Sequence, residues 1–90
     1  MNYLIQGHES AARLELLLKL TKIESEDIKA ALHDHLVRGF KASHAAQINN
    51  VQQQNFVRAY KKLNSIAQTI EQIKELDWAH LKKTKLIYIG

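Results

Sequence analysis

The chain contains no proline, and its three glycines stand at positions 7, 39 and 90. Proline and glycine are the residues that most often interrupt regular structure, so between Gly7 and Gly39, and again between Gly39 and Gly90, few places exist where a helix must stop. At 90 residues the chain has room for one hydrophobic core, because a second would need roughly another hundred residues. The expected fold is therefore all-α: one small helical domain spanning residues 1–90. With 46% hydrophobic and 24% charged residues, the composition is that of a folded domain and not of a disordered chain.

Apolar spacing places the helices. After a short lead over Met1–Gly7, the stretch from Ser10 to Leu20 sets Ala12, Leu16 and Leu20 on one stripe, widened by Leu14, Leu17 and Leu18. A second helix over Ser25–Arg38 starts at a Ser able to cap free amides, with Glu26 and Asp27 at the positive end of the helix dipole. Ile28, Ala31, Leu32, His35 and Leu36 form its apolar face, and Gly39 stands where a C-terminal cap belongs. A short third helix, Lys41–Ile48, ends at Asn49 and Asn50, since Asn tolerates left-handed backbone angles. From Gln52 a long helix runs to the neighbourhood of Asp77, carrying Phe56, Ala59, Leu63, Ile66, Ile70 and Ile73 at heptad-like spacing. Residues 82–90 fit a short strand, a frayed end or an appended remnant.

Charge is segregated along the chain. No acidic residue falls between Asp34 and Glu71, while Arg38, Lys41, Arg58, Lys61 and Lys62 lie inside that interval. The segment Glu9–Asp27 holds five acids against three bases. A basic middle is the footprint of a polyanion-binding face, although a solvated helix surface gives the same count. The absence of cysteine removes disulfides, thiolate nucleophiles and cysteine zinc sites, and points to a reducing, cytoplasmic setting. The longest apolar stretch, Leu14–Leu20, is broken by Glu15 and Lys19 and is neither a membrane span nor a signal core.

Phe40–Leu63 reads as a helix-turn-helix: a short helix with Ala45 and Ala46, a turn at Asn49 and Asn50, and a longer helix. The first helix needs a small residue where the second crosses it, and Ala46 supplies one. Val51, Phe56 and Tyr60 then anchor the second helix. Its opening turn displays Gln52, Gln53, Gln54 and Asn55, whose amides both donate and accept as base-edge reading requires. Arg58, Lys61 and Lys62 follow as phosphate contacts, and Lys41, Ser43 and His44 complete the candidate DNA-binding set. Lys41 and Gln52 are poor N-caps, and Asn49 occupies a place that is usually apolar, which makes Ile48 the candidate core residue there.

From Ile5 through the last helix the sequence resembles the PapB-type adhesin biosynthesis regulators. The matching features are Gly7, the Leu16–Leu18 run, Ile23-Glu24-Ser25-Glu26-Asp27-Ile28, Asp34-His35-Leu36-Val37 with Gly39, Phe56 and Leu63. The resemblance implies a helix-turn-helix regulator of fimbrial genes that binds double-stranded DNA as a homo-oligomer in the cytoplasm, at the nucleoid. A looser similarity, over the motif alone, runs to plasmid repressors of the KorA type. The row Leu63, Ile66, Ile70 and Ile73 reads either as the core face of the last helix or as a self-association seam.

Other chemistry finds little support. His33 and His35 are two apart and diverge on a helix, so they do not share a metal ion. No nucleophile with a base partner and no glycine-rich phosphate loop is present, which argues against an enzyme and leaves no cofactor or small-molecule substrate to assign. The reading from a different class is a helical protein-interaction module whose basic face meets an acidic protein.

Overall fold

The computed structural model describes the backbone of residues 3–89 and the side chains of residues 3–81. Four helices follow one another: α1 (Ala11–Lys19), α2 (Glu26–Leu36), α3 (Ala42–Ile48) and α4 (Gln53–Ile89). No strand occurs among the described residues. The Lys82–Ile89 backbone continues α4, so the strand reading of that segment gives way to helix.

Local signals explain each boundary. Ser10 and Ser25 cap α1 and α2, their hydroxyls accepting from the amides of Arg13 and Ile28, which satisfies donors that have no partner within the helix. The end of α2 is closed from a distance. Gly7 N–H donates to His35 O at 3.1 Å and Glu9 N–H to Leu36 O at 3.0 Å, and the Gln6 side chain donates to Gly39 O at 2.7 Å. Gly7 and Gly39 both adopt positive φ, +72° and +85°, and a Cβ on Gly7 would lie 3.1 Å from the Gly39 Cα. The segment from Gln6 to Glu9 is therefore a working part of the fold. They cap α2 through a glycine-on-glycine contact that a side chain would obstruct.

The core joins Leu4, Leu14, Leu17, Ala31, Leu32, Leu36, Ala46, Phe56, Ala59, Leu63 and Ala67. On α2 the predicted face holds: Ala31, Leu32 and Leu36 are buried, with Ile28 and His35 half-buried. On α1 it does not. Leu14 and Leu17 are buried, whereas Leu16 and Leu20 are 61% and 62% exposed and Ala12 is also exposed. A run of leucines supports more than one register, and Leu16 sits about 200° around the helix from Leu14, so only one of the two can face the core.

Asn64 Oδ1 accepts the amides of Tyr3, at 2.7 Å, and Leu4, at 3.2 Å, and the Tyr60 hydroxyl donates to Leu4 O at 3.0 Å. These bonds pin the N-terminal segment to α4. Arg13 binds Glu9 and reaches Glu71 on α4 at 3.3 Å, joining α1 to the same helix. At 37 residues, α4 spans about 55 Å at 1.5 Å per residue, and it sets the 58 × 22 × 22 Å shape of the molecule. It does not stop near Asp77, because nothing in Asp77–Ile89 is a helix breaker. Every residue from Gln72 to Leu81 is exposed, so the distal half of α4 projects beyond the core.

Candidate nucleic-acid interface

α3 and α4 are joined by Asn49–Gln52 and form a helix-turn-helix. Ala45 and Ala46 are both buried on a seven-residue helix, which lets α4 cross closely. Asn50 has φ of 56°, the left-handed angle expected for an Asn at a turn. Val51 N–H then donates to Ala46 O at 2.8 Å, turning the chain back onto α3. Phe56 is buried, and Val51 and Tyr60 pack partly against the core, as their spacing predicts.

Two details of the turn differ from expectation. Ile48 does not fill the core place and is 49% exposed. Asn49 turns inward and remains polar. Its Nδ2 donates to Asp34 Oδ2 at 2.9 Å and to Ala45 O at 2.8 Å, while Arg38 donates to Asp34 Oδ1 at 3.2 Å. The Asp34 carboxylate is therefore a buried acceptor that ties the end of α3 to α2, and a polar residue belongs at position 49 because this partner is waiting for it. The Lys41 side chain makes no cap bond, as its type suggested. The start of α3 is instead held by His35, whose Nδ1 lies 2.7 Å from Phe40 O. A carbonyl only accepts, so Nδ1 carries the proton. The ring also meets Phe56 and Tyr60 edge-on, at 5.7 and 5.9 Å between centroids.

With that frame fixed, Gln52, Gln53, Gln54 and Asn55 are all exposed at the start of α4. Arg58, Lys61 and Lys62 are exposed further along the same helix, and Lys41, Ser43 and His44 are exposed at the start of α3. The helix divides the cations between two flanks. Asn55, Arg58 and Lys62 line a groove against the α1–α2 connection. Lys61, with Val57 and Gln68, lines a wider depression of about 510 Å3 that reaches Ala42 on α3. Gln54 precedes Arg58 by four residues and Lys61 by seven, and so lies between the flanks.

Arg38 joins this surface although the sequence reading left it out of the set. Its guanidinium lies 4.4 Å from the Phe40 ring centroid, and Phe40 meets His44 at 5.4 Å. The basic count over the middle of the chain was the signal that contained it. Lys22, which lines the same groove as Arg58 and Lys62, is the second omission, hidden because the segment around it in sequence is acidic. The presumed seam is divided as well. Leu63 is fully buried in the chain's own core, Ile66 and Ile70 are half-buried, and Ile73 is exposed. Among the described residues no group of three or more His, Cys, Asp or Glu is placed to hold a metal ion, and no helix is long and apolar enough to cross a membrane.

An all-α regulator fold with a helix-turn-helix and a long last helix is what these elements define. The chain belongs to the PapB family of adhesin biosynthesis transcription regulatory proteins, whose family model matches residues 1–76. Among solved structures it is similar to the crystal structure of E. coli FocB, with a TM-score of 0.75 and 19% sequence identity over 81% of this chain and 83% of that one. At that identity the likeness speaks for the fold. Comparison with curated protein sequences found no match.

Proposed function

We propose that this chain is a sequence-specific DNA-binding regulator of fimbrial adhesin genes that presents the start of α4 to the major groove. The observation that carries the reading is the placement of four consecutive exposed amide side chains, Gln52–Asn55, at the first turn of a helix anchored by Phe56. That is where a recognition helix meets base edges. Gln and Asn match the donor and acceptor pair of adenine, and the flanking cations suit phosphates. Family membership as a transcription regulator supports the same conclusion, and a reducing cytoplasmic setting is part of the proposal.

Oligomerisation belongs to the proposal too. An isolated helix shorter than about 12 to 15 residues is marginal in water, and longer ones still draw most of their stability from packing. In the projecting part of α4, every residue from Gln72 to Leu81 is exposed. It exposes Ile73, Leu76, Trp78 and Leu81, apolar surface that a second copy would cover. Leu63 is buried in the chain's own core, so the self-association surface proposed here lies further along α4 than the row read in the sequence.

Selection of bound sequences from a random duplex pool, followed by competition with the selected and a scrambled duplex at one salt concentration, tests the reading. Gln53→Ala and Gln54→Ala should each weaken selected-site binding by about 1 to 3 kcal/mol and leave scrambled binding nearly unchanged. Arg58→Ala with Lys61→Ala should weaken binding to both duplexes, and make the slope of log affinity against log salt shallower by up to about one per lost phosphate contact. Equal losses on both duplexes for the glutamine variants would show that these residues hold backbone and do not read bases.

A further inference from the structure

Lys22, in the connection between α1 and α2, faces α4 across a groove of about 220 Å3, with Lys22 and Glu24 on one side and Asn55, Arg58 and Lys62 on the other. We infer that this groove is a phosphate-binding site, in which a phosphodiester of the duplex backbone sits between Lys22 and the Arg58–Lys62 flank of α4. The inference rests on the DNA-binding reading and adds to it a contact from outside the helix-turn-helix.

Several observations converge on it. Lys22, Arg58 and Lys62 are exposed, and among the described residues none of them takes part in an ion pair. Among the described residues lining the groove Glu24 is the one acid, against Lys22, Arg58 and Lys62, which leaves a surplus of two positive charges. Like charges gathered around one groove repel each other, and an anion seated among them reverses that cost. Asn55 adds an amide donor on the same wall. The size also selects the ligand class, since pockets for whole small molecules run from about 300 to 1,000 Å3. A smaller, open groove suits one phosphate of a longer polymer. Finally, the groove lies beside the helix proposed to enter DNA. On that flank Lys22 joins Arg58 and Lys62 from outside the helix-turn-helix.

The test is Lys22→Gln in the full chain, titrated with the selected and scrambled duplexes across a salt series. The slope of log affinity against log salt should become shallower by about 0.9, and affinity for both duplexes should fall about threefold to tenfold at fixed salt. Lys22→Arg should retain the wild-type slope. Lys29→Gln, on the α1-facing side of α2 where Lys29 pairs with Glu26 at 3.5 Å, should change neither quantity. An unchanged slope in Lys22→Gln while the wild type binds DNA would overturn this inference and leave the α4 reading standing. The same slope change in Lys29→Gln would also overturn it, because net charge and not the groove would then be the cause. Failure of the wild type to bind any duplex at low salt would overturn both.

Discussion

Replacing Asn49 with Ala should destabilise the whole domain, although the residue is a single amide in a surface turn. Its Nδ2 donates two bonds, one to the Asp34 carboxylate at 2.9 Å and one to Ala45 O at 2.8 Å. The Asp34 side chain is only 12% exposed, so water replaces the lost donor poorly. A hydrogen bond to a charged group contributes about 1.5 to 3 kcal/mol and a neutral one about 0.5 to 1.5. Allowing for partial rehydration of both acceptors, the expected loss is about 2 kcal/mol. For a domain of this size that lowers the melting midpoint by roughly 8 to 16 °C. Circular dichroism at 222 nm, with thermal unfolding at neutral pH, reads the effect directly. Asp34→Ala should cost a comparable amount, and the double variant should cost less than the sum of the two by about 1 kcal/mol or more, because the shared bond is lost only once. A midpoint for Asn49→Ala within about 3 °C of wild type, or strictly additive losses, would refute the idea that this amide clamps α3 to α2.

Two further outcomes follow from α4. Burial, and secondarily the charge of Glu9, raise the Tyr60 pKa above its ordinary 10.0; a group protonated more tightly when folded stabilises the fold below its unfolded pKa and loses that contribution as pH climbs through about 10 and beyond. Tyr60→Phe should therefore cost about 0.5 to 1.5 kcal/mol at pH 8 through the lost bond to Leu4 O and weaken the decline of stability above pH 10, and an identical alkaline profile in the variant would count against it. Ile73→Ser with Leu76→Ser should shift sedimentation toward the monomer while leaving the core, and hence near-ultraviolet circular dichroism, intact; unchanged sedimentation would show that this face is not where copies meet.

What could be read in the sequence was local. Ser25 as a cap, Gly39 and Asn50 at positive φ, the buried face of α2 and the small Ala46 each follow from one residue type in its own neighbourhood. What was misplaced depended on distant partners. Leu16 and Leu14 are equivalent on paper, and only the positions of α2 and α4 decide that Leu14 goes inside. Asn49 looks wrong beside an apolar expectation until Asp34, fifteen residues earlier, is seen to need its amide. The Gly7–Gly39 contact spans 32 positions, and no spacing rule links them. Lys22 reads as part of an acidic flank because charge was summed along the chain, whereas binding depends on charge summed over a surface.

The placement of α4 is consequently a tertiary achievement. α3, at seven residues and without a side-chain cap, is too short to hold itself together in water, yet it must fix where the next helix begins. It is gripped at both ends from α2, by His35 at Phe40 and by Asp34 at Asn49, and its middle is pressed against the core through Ala45 and Ala46. α2 in turn is closed by the Gly7 segment, and the same N-terminal strap is bonded to Asn64 and Tyr60 of α4. The chain of contacts forms a loop from the N-terminus through α2 and α3 to α4 and back to the N-terminus. Loosening any member should therefore displace the Gln52–Asn55 turn relative to Lys22, which sits on the opposite wall of the groove and belongs to neither motif helix. On the proposed reading, a base-reading turn and a phosphate contact are useful together only at a fixed separation, and in so small a domain a closed loop of part-buried polar contacts is what fixes it.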